Sequence, residues 1–332
     1  MRKIAVIGVG SWGKNLLRNF SSLHTCQLVY ACDLDNQKLI QSAEQYPNVK
    51  FVNDYQLICQ DPQIDAVAIA TTVTSHYKIA KDFLEAGKHV FVEKPFTRSV
   101  EEAEDLVKIS TERSLVLMVG HLLKYHPAVI KLKEIVDSGE LGEIYYIYSQ
   151  RVSLGRVATD ENAMWSLTPH DISIVLYLLG EQAVSVSARG KSYLRPDIDD
   201  VCFLNLDFPQ KKMANIQTSW LDPHKIRQMT IVGSKKMVLF DDMAAREKLR
   251  VYDRGFVQEY STYGDSLTVR SGDIHIPLIS MHEPLMEECT HFIDCVKNLS
   301  RPRTDGLEGL EVMKILTAAQ ESIDSGGVLI NI

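Results

Sequence analysis

Residues 3–13 read KIAVIGVGSWG, an apolar run that leads directly into a glycine-rich turn. The run predicts a buried β-strand up to Gly8, and the apolar spacing beyond Gly13 predicts an amphipathic helix. Glycines in the pattern Gly-x-Gly-x-x-Gly permit a tight turn and let a phosphate approach the unpaired amides of the helix. The stretch therefore predicts that a dinucleotide pyrophosphate binds at Gly8, Gly10 and Gly13.

Asp33 lies at the end of the second predicted strand, at the distance of about 20 residues that the dinucleotide fingerprint requires. A carboxylate at this point accepts hydrogen bonds from the adenosine ribose hydroxyls and repels a 2′-phosphate. Because Leu34 follows rather than a basic residue, the pattern predicts NAD instead of NADP. The alternative is a glycine turn in an unrelated sheet, which would not explain why Asp33 lies at the spacing from the turn that the fingerprint requires.

The pattern around this stretch alternates short apolar runs with helical segments up to residue 122. The predicted strands cover residues 3–8, 27–32, 49–52, 66–70, 89–92 and 115–119. Strands and helices that alternate at this rhythm favour a parallel sheet with helices on both faces. We therefore expect an α/β fold whose first domain, residues 1–122, is a doubly wound Rossmann sheet.

Beyond residue 122 the pattern changes to closely spaced apolar runs with only turns between them. Helices are predicted over residues 127–138, 170–180, 284–298 and 306–325, and strands over 144–152, 184–190, 201–208, 213–220, 228–232, 237–240, 249–252 and 328–332. Such runs indicate antiparallel pairing. The second domain, residues 123–332, is expected to be an α+β domain on an open, mostly antiparallel sheet.

The composition is that of an ordinary globular protein: 332 residues, of which 45% are hydrophobic and 24% charged, suffice for two cores. A formal net charge of −7 argues against nucleic acid or an anionic membrane as a partner, because both require a basic surface. Six scattered cysteines without a Cys-x-x-Cys pair indicate reduced thiols. We expect a cytoplasmic protein without a signal peptide, a membrane span or a metal site.

A lysine followed by a proline stands directly after Glu93, at the end of an apolar run. Proline restricts the backbone beyond Lys94, and the carboxyl end of a parallel strand faces the crevice where ligands bind. Thr71 and Thr72 follow the preceding strand and so reach the same edge of the sheet. Lys94 is therefore predicted to contact a ligand; the alternative is a surface lysine that precedes a proline.

His170 lies in the stretch WSLTPHD, residues 165–171, in the second domain. A neutral imidazole accepts a proton near pH 7, and an ammonium such as that of Lys94 stabilises a developing alkoxide. These side chains predict an enzyme that removes a hydride from a hydroxyl-bearing carbon. The alternative is that His170 only caps a helix that begins after Pro169.

These motifs, in this order, resemble the Gfo/Idh/MocA oxidoreductases over essentially the whole chain. The resemblance is carried by the glycine turn, Asp33, Ala70-Thr71, Glu93-Lys94-Pro95 and the run VGHLLKYHP at residues 119–127. It implies that Lys94 lies beside the nicotinamide and the substrate hydroxyl and that Glu93 helps to hold the cofactor. It also implies that His121 and Lys124 face cofactor or substrate. The cofactor-binding residues expected on this basis are Gly8, Gly10, Ser11, Trp12, Gly13, Asp33, Thr71, Thr72, His76, Glu93, Lys94 and Lys124.

Residues 165–171 and the run TSWLDPHKIR at residues 218–227 narrow the resemblance to the branch that acts on nucleotide-linked sugars. Trp220 is suited to stack on a sugar or base. Lys225, Arg227 or Arg151 is suited to bind a diphosphate. In the alternative, Trp220 lies in the core or an interface and the basic residues form a solvated edge. The substrate-binding residues implied are His121, Arg151, Trp165, His170, Trp220 and Lys225, with Lys94 and His170 as the catalytic pair.

The resemblance implies NAD-dependent oxidation of the C3 hydroxyl of a UDP-N-acetylhexosamine, with UDP-GlcNAc favoured, by a homodimer or homotetramer. Ser166 departs from the family pattern, because many members have an aspartate there, four residues before the histidine. Three alternatives stay open: a dehydrogenase of a free polyol or sugar such as myo-inositol or glucose, a non-catalytic dinucleotide sensor, and a structural oligomerisation protein. Retention of Lys94 and His170 argues against the sensor, and the register of Asp33 argues against the structural protein.

Overall fold

The computed structural model describes residues 1–155, 157–158, 161–261 and 264–332 of the chain. The chain divides into two compact units. The first unit contains Met1–Tyr125 and His282–Lys314, and the second contains His126–Met281 and Ile315–Ile332. Each unit is therefore discontinuous in sequence.

The first unit is built on a six-stranded parallel sheet. Its strands are β1 (Arg2–Ile7), β2 (Cys26–Cys32), β3 (Lys50–Val52), β4 (Ala66–Ile69), β5 (His89–Glu93) and β6 (Leu117–Gly120). Its first five helices are α1 (Gly13–Ser22), α2 (Asn36–Ala43), α3 (Gln56–Cys59), α4 (Val73–Glu85) and α5 (Val100–Glu112), and a 3₁₀ turn follows at Leu122–Tyr125. The strand order β3-β2-β1-β4-β5-β6 confirms the predicted Rossmann sheet. The order reverses between β1 and β4, so the carboxyl ends of these strands border the ligand crevice.

The second unit is built on a nine-stranded sheet. Its first two helices are α6 (Pro127–Asp137) and α7 (Ala163–Leu179). Its strands are β7 (Ile144–Val152), β8 (Ser185–Lys191), β9 (Val201–Asp207), β10 (Met213–Ser219), β11 (Ile226–Gly233), β12 (Met237–Asp241), β13 (Leu249–Ser261), β14 (Gly264–His275) and β15 (Ile330–Asn331). The order is β14-β13-β12-β11-β7-β10-β9-β8-β15, and within the described ranges only β7 and β10 pair in parallel. This arrangement confirms the expected open, mostly antiparallel sheet.

The hairpin of β13 and β14 is longer than the sequence indicated, since only residues 249–252 of it were predicted to be a strand. Leu267 and Val269 are each 71% exposed, and charged residues and glycines interrupt the rest of β14. A segment that buries so little apolar surface gives a weak periodic signal. The pairing of the two strands with each other supplies their backbone hydrogen bonds instead.

Residues 282–314 pack within the first unit, which differs from the expected division into 1–122 and 123–332. The segment holds α8 (Pro284–Asn298) and the start of α9 (Gly306–Asp324). The ring of Phe292 is buried, with centroids 6.4 Å from that of Phe20 and 5.7 Å from that of Phe91. Residues 304–305 also pair with β6 and so cover the edge of the sheet. These contacts join residues far apart in sequence, which a local pattern does not show.

Helix α7 begins at Ala163, about two turns before the start that was expected after Pro169. Asn162 caps it, because Asn162 Oδ1 accepts a hydrogen bond of 3.0 Å from the amide of Trp165. Pro169 lies inside the helix and gives up one backbone hydrogen bond. His170 is therefore an interior residue of α7 and does not cap its start.

The face of the second sheet that carries Tyr146, Tyr148, Phe203 and Met213 leaves these side chains 41–46% exposed. The assembly of the chain into a homodimer or homotetramer stays a prediction. None of the helices in the described ranges is both long enough and apolar enough to cross a membrane.

Candidate functional site

The glycine turn between β1 and α1 shapes one wall of the candidate site. Gly8 has a φ of +91°, and a Cβ there would lie 2.6 Å from the carbonyl oxygen of Ala70. A Cβ on Gly13 would lie 1.9 Å from the carbonyl oxygen of Gly8, so this close packing requires glycine. By contrast, a Cβ on Gly10 would meet no described atom within 4 Å. The turn therefore leaves open space near the helix N-terminus, where a pyrophosphate fits.

Asp33 stands at the predicted ribose end of the site, and two backbone amides orient its carboxylate. Oδ2 accepts a hydrogen bond of 2.9 Å from the amide of Val9, and Oδ1 accepts one of 2.9 Å from the amide of Asp35. Each carboxylate oxygen can accept more than one hydrogen bond, so both can also accept from ribose hydroxyls. The geometry thus suits the predicted role of Asp33.

A cavity of about 700 Å³ lies at this edge of the first sheet. Seven of the residues predicted to bind the cofactor line it: Gly8, Gly10, Ser11, Trp12, Asp33, Thr71 and Thr72. The volume lies in the usual range for small-molecule and cofactor sites. The open glycine turn, the oriented carboxylate and the cavity volume together fit a dinucleotide.

The sequence interpretation missed part of the cavity wall. The further lining residues that it did not single out include Lys38, Asn53, Tyr55, Thr74, Ser75, Lys78 and Ile79. Asn53 directly follows β3, so the rule that ligands meet the carboxyl ends of parallel strands would have found it. Lys38 and Lys78 lie on helices, where no local signal separates a ligand contact from a solvated side chain.

Glu93, at the end of β5, is joined to the glycine turn. Its Oε1 accepts a hydrogen bond from Nε1 of Trp12, which lines the cavity. Gly120 leaves room for the carboxylate, because a Cβ there would lie 2.7 Å from Glu93 Oε2. Burial raises the pKa of Glu93 to about 7, against the opposing effects of the Trp12 hydrogen bond and the Lys94 charge. The half-buried Lys94 therefore follows a residue that is linked directly to the cavity wall.

His76 lies behind the cavity wall rather than on it. Its side chain is 1% exposed, and its ring nitrogens face the carbonyl oxygens of Pro95 and Thr71 at 2.9 and 3.2 Å. Burial lowers the pKa of His76, although these carbonyl contacts oppose the shift. Direct contact of His76 with the cofactor stays a prediction.

His121 and Lys124 converge on Glu308, at the start of α9. His121 Nδ1 lies 2.7 Å from one carboxylate oxygen, and Lys124 Nζ lies 3.3 Å from the other. Lys124 also donates a hydrogen bond of 2.8 Å to the carbonyl oxygen of Arg303, and burial lowers the pKa of its ammonium. Glu308 was missed because it belongs to the returning segment 282–314. The predicted contacts of His121 and Lys124 with cofactor or substrate stay predictions.

Arg151, in the second unit, is buried against a carboxylate. Its Nε donates to Asp171 Oδ2 at 2.5 Å, and Ser149 Oγ donates to Asp171 Oδ1 at 2.5 Å. The sequence did not predict that Asp171 pairs with Arg151. A guanidinium that is already paired with a carboxylate binds a diphosphate less strongly, so the geometry favours a structural role for Arg151.

The other predicted substrate residues of the second unit occupy different environments. Trp220 is 3% exposed, which agrees with the alternative that it lies in the core. Trp165 is half-buried, and its Nε1 donates a hydrogen bond of 3.1 Å to Gln320 Oε1. Lys225 is exposed between β10 and β11, and His170 is half-buried on α7. Among the described residues, no group of three or more His, Cys, Asp or Glu side chains is arranged to hold a metal ion.

Two models of one protein family match this chain. The model of the GFO_IDH_MocA oxidoreductase family with an NAD-binding Rossmann fold matches residues 2–121. The model of the GFO/IDH/MocA C-terminal domain matches residues 129–239. Together the matches cover more than half of the chain, and the first contains the whole predicted glycine turn.

Individual proteins agree with this assignment. The chain is 26% identical to the NAD(+)-dependent scyllo-inositol 2-dehydrogenase of Bacillus subtilis, over 98% of this chain and 94% of that protein. It is 27% identical to the UDP-N-acetylglucosamine 3-dehydrogenase of Acidithiobacillus ferrooxidans, over 76% of this chain and 77% of that protein. The solved structure of UDP-N-acetylglucosamine 3-dehydrogenase GnnA from A. ferrooxidans has the same fold, with a TM-score of 0.82 at 23% identity, covering 97% of this chain and 98% of that one. This protein therefore belongs to the Gfo/Idh/MocA family of oxidoreductases, and its cofactor is NAD.

Proposed function

We propose that this protein oxidises the C3 hydroxyl of a UDP-N-acetylhexosamine, with UDP-GlcNAc favoured, to the 3-keto sugar. The observation that supports the oxidation is a link between the cavity and the lysine. Trp12, on the cavity wall, donates a hydrogen bond to Glu93, and Glu93 directly precedes Lys94. The sugar nucleotide is supported by the stretches 165–171 and 218–227 and by the similarity to a UDP-N-acetylglucosamine 3-dehydrogenase.

NAD, when bound, supplies the acceptor for the hydride that leaves the sugar carbon. The positive charge of Lys94 stabilises the alkoxide that forms as the hydroxyl loses its proton. When Lys94 is already an ammonium, the neutral ring of His170 takes up that proton. Alternatively, Lys94 starts as the neutral amine, takes up the proton itself and thereby becomes the ammonium that faces the alkoxide. Ser166 has no ionisable group at neutral pH, so it does not share the proton as an aspartate would.

A second candidate, oxidation of a free polyol such as inositol, is favoured by two observations in the second unit. Arg151 is paired with Asp171, and Trp220 is buried, so neither side chain is open to a nucleotide in this structure. The scyllo-inositol 2-dehydrogenase of B. subtilis is also similar over nearly the whole chain. The two candidates share the cofactor and differ only in the alcohol.

The test is the formation of NADH from NAD with UDP-GlcNAc, UDP-GalNAc, UDP-GlcNAc uronic acid, myo-inositol, scyllo-inositol and glucose. Each substrate is tried with and without 2-oxoglutarate, and mass spectrometry checks the product for the loss of two hydrogen atoms. A keto product from UDP-sugars alone supports the proposal, whereas turnover of inositol or glucose alone replaces it with the second candidate. Binding of NADH without turnover of any alcohol would favour the dinucleotide sensor.

Two lysine variants separate the chemistry of Lys94 from the mere loss of a charge. We expect Lys94→Ala to lower kcat by roughly 100-fold or more, because a group that stabilises developing charge contributes on this scale. Lys108 provides the matched control, since it is exposed on α5 and its Nζ lies 4.0 Å from Glu112. Lys108→Ala should keep the activity of the wild type. Equal activity of the two variants would exclude Lys94 from the reaction.

A further inference from the structure

His76 on α4 is enclosed between the ends of two strands of the first sheet. Its Nδ1 lies 2.9 Å from the Pro95 carbonyl oxygen, and its Nε2 lies 3.2 Å from the Thr71 carbonyl oxygen. Thr71 lines the cofactor cavity, and Pro95 directly follows Lys94. The ring therefore joins the cavity wall to the backbone beside the proposed catalytic lysine.

The carbonyl oxygens of Pro95 and Thr71, together with a weaker backbone contact of Phe96, limit where the proton of the ring can be. Carbonyl oxygens only accept hydrogen bonds, and a neutral imidazole has a single N–H, so only one of the two contacts is then a hydrogen bond. Burial lowers the pKa of His76 from its ordinary value, so the ring is neutral at pH 7. The contact of Nδ1 is the shorter one, which favours the tautomer that carries the proton on Nδ1.

We propose that His76 is a positioning residue, whose Nδ1–H donates to the Pro95 carbonyl oxygen and thereby holds the backbone next to Lys94. Proline has no N–H, so residue 95 can be held by a backbone hydrogen bond only through this carbonyl. His76 acts through residue 95 and is not placed in contact with substrate. The inference rests on the proposed function in one respect, namely that Lys94 acts on the substrate.

Nitrogen-15 NMR of the full-length protein, with labelled histidine, tests the hydrogen bond without any need for turnover. The signals of His76 are assigned by their loss in His76→Asn. At neutral pH we expect a protonated Nδ1 and an unprotonated Nε2. A proton on Nε2, or protons on both nitrogens, would overturn the proposal.

Substitutions at His76 test the consequence for catalysis. An asparagine amide can place an N–H near the position of Nδ1, a glutamine amide near that of Nε2, and leucine offers neither. We expect His76→Leu to lower kcat on the order of 10- to 100-fold through misplacement of Lys94, with the NADH dissociation constant changed by less than about twofold. His76→Asn should recover more of kcat than His76→Gln. Equal recovery by the two amides would argue against a donor at Nδ1.

His89 supplies a matched control for stability. It is 8% exposed at the other end of β5, and its Nδ1 accepts a hydrogen bond of 2.9 Å from the amide of Val116. His89→Leu should lower Tm as His76→Leu does, yet leave kcat close to that of the wild type. A similar fall of kcat in both variants would overturn the proposal in favour of a general loss of stability. If no alcohol is turned over at all, the proposed function fails, and the NMR result still decides the hydrogen bond.

Discussion

Among single residues, Glu288 on α8 lies in surroundings that a glutamate rarely occupies. Its side chain is fully buried, and neither carboxyl oxygen has a hydrogen-bond partner in the part of the chain that the structure describes. Burial, together with the charges of Glu93 and Glu308, raises its pKa well above the ordinary value. A carboxyl group in such surroundings is held in the neutral form, because an unpaired buried charge is costly.

Glu288→Gln preserves the shape of this side chain and removes its titration. A raised pKa means that the folded state binds more protons than the unfolded state. The contribution of Glu288 to the free energy of unfolding is therefore fully present below the unfolded pKa of about 4.3, and it decreases as the pH rises above that value. We expect urea unfolding to show a smaller fall in stability between about pH 5 and pH 8 for Glu288→Gln than for the wild type. Glu93 also lowers the stability as the pH rises to its pKa of about 7, and this decrease should persist in Glu288→Gln.

Glu287→Gln is the control for this measurement, because Glu287 is the neighbouring acid on α8 and 48% of its side chain is exposed. The control should show the pH dependence of the wild type. The same pH dependence in Glu288→Gln would mean that Glu288 is ionised in the folded protein.

Among the elements, β2 and α2 together bear on the choice between NAD and NADP. Asp33 directly follows β2, and Lys38 lies in the first turn of α2 on the cavity wall. Lys38 Nζ is 3.9 Å from Asp33 Oδ1 and 3.5 Å from Asp35 Oδ2. The lysine is thus shared between two carboxylates near the place expected for the ribose 2′-hydroxyl.

Asp33→Ser is expected to strengthen NADPH binding relative to NADH binding by roughly 10- to 100-fold. The substitution removes the carboxylate that repels a 2′-phosphate, and it leaves Lys38 to pair with that phosphate. Fluorescence titration with NADH and NADPH measures both dissociation constants. The double variant Asp33→Ser/Lys38→Ala should lose most of the gain. If it binds NADPH as well as the single variant does, Lys38 takes no part in the discrimination.

The elements also separate what the sequence pattern predicts well from what it predicts poorly. The strands β1, β4 and β5 were predicted closely because they are continuous buried runs. The start of α7 was placed too late, since Pro169 outweighed the cap at Asn162. Strand β14 was missed because an exposed strand has little apolar periodicity.

On the scale of the whole molecule, the Rossmann unit is completed by a segment from the C-terminal part of the chain. Phe292→Ala tests how strongly that unit depends on this segment, because its ring packs against Phe20 and Phe91. We expect a loss of about 3–5 kcal/mol in the free energy of unfolding, measured with urea and NADH binding as the probe. Phe203→Ala removes a ring that is 46% exposed and should cost less than about 1 kcal/mol. Equal losses would contradict a central role for residues 282–314.

The sequence by itself determined the Rossmann sheet, the glycine turn, the place of Asp33 and the place of Lys94 at the end of a strand. These features depend on the order and spacing of neighbouring residues, which the chain carries locally. Only the tertiary structure decided that residues 282–314 complete the first unit, that Glu308 meets His121 and Lys124, and that Arg151 is neutralised by Asp171. The reason is that such partners are chosen by packing between distant segments, and no local periodicity records which segments will meet.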